Sequence, residues 1–332
     1  MKLGLIWIIP FLMALFVIAI IPGQKNDVKM VLNNFSEDEE FDNLFGHARE
    51  YDQGLGKIRR GASSFVVATD GSGDFDDITS AVKALPSTGG QIFIKEGTYK
   101  VAATIPITKN NVSITGVGRG SIIDVEASTG FRINGPDYVT FSNLRIKCDE
   151  ERTYALWFTN STGSAVFNIW IDGAFASGIY VTGTNSKFNI NNNFITDTLE
   201  ASISVDDTNQ IMIQNNSLDN GINIEASRFI IDGNVIKNQG DGNDGIAITG
   251  SDGVISNNFI EDDSTGDGGI TTFADASNNV ITGNRIKGFS KGVYIKFGSC
   301  DRNLIGHNIL INNTTPISDS GTNTTSSNNI TT

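Results

Sequence analysis

Cysteine is almost absent: two residues in a chain of 332, too few for a disulfide framework. Cys148 and Cys300 are expected as buried free thiols, because the internal repeat of the chain sets them several turns apart, beyond the reach of a bridge. Histidine is equally scarce. His47 lies in a polar connector and His307 beside an Asn-rich turn, so neither belongs to a catalytic grouping. Charged residues make up only 18% of the chain, and the formal net charge of −13 comes with no basic block. That balance excludes a nucleic-acid partner, which needs clustered Lys or Arg to neutralise phosphates. Six prolines against 36 glycines suit short strands and tight turns better than long amphipathic helices.

The one long apolar run is Leu3 to Ile21, preceded by a single charge at Lys2. Nineteen residues at about 1.5 Å each match a bilayer core. Residues 1–23 therefore read as a membrane anchor or a signal peptide, with an uncleaved anchor favoured because small residues at the cleavage spacing are poor. Either reading exports the remainder of the chain, and the sequons at Asn34, Asn111, Asn160, Asn312 and Asn323 are compatible with that. Residues 24–62, with the acidic run Glu37 to Glu40, form a polar stalk or linker.

From residue 63 the pattern changes. Phe65 to Ala68 reads as a strand, and Asp76 or Asp77 caps a helix whose apolar face is Ile78, Ala81, Val82 and Leu85. Gly89-Gly90 ends it and another strand starts at Gln91. An Asn with an apolar residue at one or both of the next two positions then recurs at 143, 168, 193, 216, 234, 258, 284, 308 and 329, spaced 18 to 26 residues apart. Such a period marks a solenoid, and the short alternating runs between the Asn positions mark strands. The recurring Asn is expected at a tight bend, where it tolerates left-handed backbone and bonds to the next turn. The resulting fold class is all-β: a single-stranded parallel β-helix over 63–320 with an N-terminal capping helix, and a polar tail at 321–332.

The segment "DFDDITSAVKALPSTGGQIFIKEGTYKV…NNVSITGVGRGSII" resembles the opening of the pectate-lyase superfamily, pectate lyases and rhamnogalacturonases included. The resemblance implies a right-handed coil, a helix plugging its first turn, and a polysaccharide partner. A homotrimer, as in the tailspikes of that superfamily, is compatible with it. Four later segments, "LDNGINI", "GNDGIAI", "TGDGGIT" and "KGVYIK", resemble the ordered motifs of polygalacturonases at Asp244 and Lys296. Asn220, Asn243, Gly268 and Tyr294 depart from them.

Period-two alternation makes Leu156/Phe158, Ile179/Val181, Ile203/Val205, Ile222/Ile224, Ile246/Ile248, Ile270/Thr272 and Val293/Ile295 inward pairs. Two outward columns result. One holds Trp157, Tyr180, Ser204, Asn223, Ala247, Thr271 and Tyr294; the other holds Thr159, Thr182, Asp206, Glu225, Thr249, Phe273 and Lys296. Aromatic faces beside hydrogen-bonding edges suit sugars, so Trp157, Tyr180, Asn223 and Tyr294 are the expected glycan-binding residues. Asp206, Glu225, Asp244 and Lys296 are the candidate catalytic groups, the first two as paired carboxylates on adjacent turns. Asp241, Asp262, Asp263 and Asp267, on stacked loops, would hold Ca²⁺. In lyases of the resembled superfamily calcium neutralises a uronate while Lys or Arg removes the C5 proton, a role that Lys287, Lys291 or Lys296 could serve. The expected function is an exported, cell-surface polysaccharide-active protein, a lyase first and a hydrolase next. The alternative is a non-catalytic glycan-binding or adhesive protein on the same scaffold, bound to the membrane if the first segment stays uncleaved.

Overall fold

The computed structural model describes residues 63–332 apart from 174, 239–242 and 263–265. The anchor and stalk expected over 1–62 lie outside the described residues. Among those described, no helix is long and apolar enough to cross a membrane.

Each repeat of Ile, Val and Phe becomes one coil of three short parallel strands. In a representative coil these are Arg152–Thr159, Ala165–Phe167 and Trp170–Asp172, which we name walls 1, 2 and 3. Every wall pairs in parallel with its counterpart one coil on. Walls 1 and 2 merge into one 21-stranded sheet because Ala201–Gln214 runs through both, with a bulge between Val205 and Thr208. Wall 3 is an 11-stranded sheet. All fourteen residues expected to point inward on wall 1 are buried, and the thirteen apolar ones join one continuous core. Stacked Phe131, Phe141, Phe158 and Phe188 fill its early coils edge to face, with ring centroids 4.7 to 6.0 Å apart. Cys148 and Cys300 are buried thiols outside any disulfide, as expected.

The helix at the N-terminal end, α1 (Ile78–Ala84), starts at Asp77, whose carboxylate accepts from the Ser80 N–H at 2.8 Å and from its hydroxyl at 2.7 Å. Its face of Ile78, Ala81 and Val82, continued by Leu85, packs into the same core as Ile92. At the other end, the segment expected as a tail is the last turn of the coil. Thr325–Ser327 and Ile330–Thr331 pair with Leu304–Gly306 and Ile309–Leu310.

Two neighbouring positions share the work that the sequence assigned to one Asn column. Asn143, Asn168, Asn192, Asn215 and Asn257 take left-handed backbone, with φ between 53° and 55°. The next residue in the chain forms a buried ladder through Asn193, Asn216, Asn234, Asn258, Asn284, Asn308 and Asn329. Each main-chain N–H and side-chain amide along it donates to the next Asn Oδ1 at 2.9 to 3.0 Å. Asn143 and Asn168 therefore belong to the bend itself and only the later members to the ladder.

Candidate functional site

Wall 1 departs from strict alternation in a way that shapes the site. Each of its strands carries two consecutive inward residues, the first of them small: Ala155-Leu156, Gly178-Ile179, Ser202-Ile203, Gly221-Ile222, Gly245-Ile246 and Gly269-Ile270. The first position has no room. A Cβ on Gly245 would lie 2.4 Å from Ile260 Cγ2 and 2.6 Å from the Gly269 carbonyl oxygen. The residue before each pair stands three positions ahead of the next outward one; it is half-buried at Tyr154, Asp244 and Lys291 and buried at Ser177, Ala201, Asn220 and Gly268. A third column results, running through Tyr154, Ser177, Ala201, Asn220, Asp244, Gly268 and Lys291. Period-two counting could not show it, and Tyr154 received no role for that reason.

The first of the two columns drawn from the sequence is in register: Trp157 pairs with Tyr180, Tyr180 with Ser204, Ser204 with Asn223, Asn223 with Ala247, Ala247 with Thr271, and Thr271 with Tyr294; the second is paired from Thr159 through Thr182 to Asp206. The bulge after Val205 places two residues, Asp206 and Asp207, against Glu225 alone. Across the three columns Asp206, Asn223, Glu225 and Asp244 line one open cavity of about 430 Å³, together with Leu199, Glu200, Ala247, Thr249 and Phe273.

Asp244 is a half-buried carboxylate. Its Oδ1 accepts from the Thr271 hydroxyl at 2.7 Å and from the Gly268 N–H at 2.8 Å. Gly268 makes this possible, since a Cβ there would meet Thr271 Oγ1 at 2.0 Å and Asp244 Oδ1 at 3.0 Å. Burial holds the Asp244 pKa above the ordinary carboxylate value, and Asp267 adds to the rise. The hydrogen bonds from Thr271 and Gly268 and the charge of Lys296 oppose it. Glu225 and Asn223 are exposed. Asp206 accepts a 2.6 Å hydrogen bond from the Tyr180 hydroxyl. Burial, and then that bond to Asp206, push the Tyr180 phenol up to about 12.

The aromatic end differs from the open platform the sequence suggested. Tyr154 stacks on Tyr180 with centroids 4.5 Å apart, and Trp157 meets Tyr154 edge-on at 5.3 Å. The Arg132 guanidinium covers the Trp157 ring at 4.1 Å. Trp157 is half-buried and its Nε1 is shut from solvent with no hydrogen-bond partner. These rings spend their faces on each other and on Arg132, so the cluster works as a rigid shoulder to the cavity.

At the opposite end Lys291 donates to Asp267 at 2.6 Å and lies 4.3 Å from the Tyr294 centroid. Lys296 sits 4.0 Å from Asp267, over Phe273 at 4.8 Å and near Tyr294 at 5.8 Å. Of the four residues expected to hold calcium, two are described. Asp241 and Asp263 lie outside the described residues. Asp262 is buried at the end of a wall 3 strand and accepts from the Gly266 N–H, while Asp267 is paired with Lys291. Among the described residues no three His, Cys, Asp or Glu gather in a way that could hold a metal ion. His307 meets only the Asn328 amide, at 3.4 Å. A second hollow of about 350 Å³ near Lys100, Asp124, Glu126 and Arg152 is lined by charges already paired across it, Lys100 with Glu126 and Arg152 with Glu150.

A coil of stacked parallel strands is the architecture of β-helix proteins, and comparison with known proteins agrees. Residues 218–332 match the family model described as right handed beta helix region, and residues 64–166 match that of pectinesterase. The chain is 37% identical over 122 residues to a pectinesterase/pectinesterase inhibitor of Brassica campestris, covering 34% of this chain and 21% of that protein. It is 28% identical over 163 residues to pectinesterase/pectinesterase inhibitor 18 of Arabidopsis thaliana, covering 46% and 27%. The chain thus spans about a fifth to a quarter of the length of these relatives. Two solved structures share the fold, each with a TM-score of 0.50. They are the ORF18 protein of Geobacillus virus E2 (13% identity, 77% of this chain and 57% of that one) and the catalytic domain of an α-1,3-glucanase in complex with nigerose (16%, 83% and 70%). The fold expected from the sequence stands. The opening segment, likened there to pectate lyases and rhamnogalacturonases, is similar to pectinesterases instead. Of the twelve candidate site residues only Trp157 falls inside the pectinesterase match.

Proposed function

We propose that wall 1 binds a pectin-type polysaccharide and that its cavity hydrolyses methyl esters on that polymer. The observation that carries this reading is the meeting of Asp206, Asn223, Glu225 and Asp244 in one cavity. With Glu200 the cavity holds four carboxylates, which repel a fully ionised polyuronate and leave an esterified, uncharged one unopposed. Asp244 holds its proton more tightly than an ordinary carboxyl and suits the acid that protonates the departing methoxide. Exposed Glu225 suits the base that takes a proton from the attacking water, and Asn223 can orient the ester carbonyl. One water is consumed, and methanol and a uronate are left. The similarity of residues 64–166 to pectinesterases supports the choice of polymer. Such polymers lie outside cells, which suits the export expected from residues 1–23.

A second reading is favoured by one observation: the pectinesterase match ends at residue 166, before any of these carboxylates. On that reading the wall binds glycan without catalysis. A lyase with Lys296 as base and a calcium-held uronate is a third. Methanol release from methyl-esterified pectin, run beside ultraviolet absorbance of unsaturated product and with and without calcium, separates the three. Methanol without absorbance, lost in Asp244→Asn, is expected. Absorbance without methanol would select the lyase, and silence in both assays with binding retained would select the binding protein.

A further inference from the structure

We propose that wall 2 is a docking surface for a second copy of this chain, in a two-fold dimer whose coil axes run parallel and whose apolar rows face each other. No residue of the wall 1 cavity lies on this surface, so the inference does not depend on what wall 1 binds.

The surface is an aliphatic row where a sheet facing water would carry Thr or charge. Met212, Ile230, Val254, Val280 and Leu304 pair in register on five successive coils. Four of them are among the twelve exposed large apolar residues of the described chain, and Val280 is half-exposed. A third of the exposed apolar side chains thus stand in one line, a pattern that marks a contact surface. Wall 3 offers no such row. Its outward column is broken by Ser217 and Arg285, and two of its rings lie under cations of the chain itself, Trp170 under Arg119 at 5.1 Å and Phe259 under Arg285 at 5.2 Å.

The charges on wall 2 fit a second wall 2. Arg228 and Asp232 stand two residues to either side of Ile230, with Arg228 exposed and Asp232 half-buried. Within the chain Arg228 donates to Asn209 at 3.1 Å, and Asp232 accepts from Ser256 at 2.7 Å and Asn257 at 2.9 Å. Neither makes an ion pair among the described residues. A two-fold axis along the row brings each apolar residue against its own copy and reverses the strand direction. Arg228 of one copy then meets Asp232 of the other, and the same pair forms again across the axis, as an isologous contact requires. Over these five coils Arg228 and Arg302 balance Asp232 and Asp252, so the face is neutral on a protein of net charge −13. Like-charged molecules can approach there, while their other surfaces repel.

Size sets the strength. Five coils at about 4.8 Å and five residues at about 3.3 Å make a face of about 400 Å². That is about half of what a standard interface buries on each partner, so the dimer is reversible, with a Kd on the order of 10 μM.

The test is sedimentation velocity of the full chain in a mild detergent, from about 1 to 200 μM. A monomer–dimer equilibrium is expected. Val254→Lys sets two ammonium groups against each other at the axis and should weaken it about tenfold or more. The substitution alters one exposed side chain, so circular dichroism should not change. Arg228→Glu and Asp232→Lys should each weaken the dimer alone, and the two variants mixed one to one should restore it. A monomer throughout the range, or a dimer or trimer indifferent to Val254→Lys, overturns the proposal. Should Asp232→Lys fail to fold, Val254→Lys still decides it. Failure of two folded variants to restore the dimer on mixing overturns the parallel pairing.

Discussion

Asp244 is held by two donors, Thr271 and Gly268, in a place where an ionised carboxylate is poorly solvated. Its pKa in the folded protein stands above the 3.8 of a free side chain. Below 3.8 both folded and unfolded chains carry the proton and the site costs nothing. As pH rises through the folded pKa the half-buried group must ionise, and stability is lost. Asp244→Asn keeps an acceptor for both donors and cannot ionise. Its melting temperature should match the native protein in acid and exceed it by about 2 °C at neutral pH, while esterase activity disappears. A melting temperature below the native one at every pH would show that the carboxylate stabilises the site. Tyr180→Phe frees Asp206 from its 2.6 Å hydrogen bond. Turnover of methyl-esterified pectin is expected to fall about tenfold, with a smaller change in KM, because the bond positions a charge and leaves the binding surface intact.

At the scale of elements, the corner between walls 2 and 3 divides two roles between adjacent asparagines, and mutation should separate them. Asn257 supplies left-handed backbone, φ 54°, and Gly takes that conformation without strain. Asn257→Gly should shift the urea midpoint little, whereas Asn257→Val should cost about 1–2 kcal/mol. Asn258 is buried. It donates to the Ile231 carbonyl and to Asn284, and accepts from Asn234. Asn258→Ala leaves buried donors and acceptors unmade on three coils and should cost about 2–4 kcal/mol. The recurrence of Asn was legible in the chain; its division into two adjacent columns was not, because both positions carry the same residue in many coils. The third column was hidden for a related reason. Alternation fails where a small residue is squeezed between coils, as Gly245 is against the Gly269 carbonyl.

For the whole molecule, the net charge of −13 sets a long-range preference that the local lysines only interrupt. At about 0.1 M salt the screening length is about 10 Å, so general repulsion of a polyanion is damped while a direct Lys contact is damped less. Affinity for fully de-esterified polygalacturonate should therefore rise as salt is added from low ionic strength, and affinity for the fully esterified polymer should stay nearly constant. Titrations over a salt series check this, and a de-esterified polymer that weakens steadily with salt would show that the lysine end dominates the field. Stability should be distributed in the same coil-by-coil fashion, since each turn packs mainly on its two neighbours.

Sequence alone determined the coil: inward Ile and Val at fixed spacing, Asn at the bends and a capped helix at the start leave few other ways to bury the apolar residues. It also placed Asp206, Asn223 and Glu225 on one outer face. Only the tertiary structure decided that Asp244 joins them, that Arg132 and Tyr154 close over the Trp157 end, and that Lys291 and Lys296 share Asp267. Those outcomes depend on residues some 24 positions apart meeting across coils and on a missing side chain at Gly268, and side-chain packing of that kind leaves no period in the chain to be read.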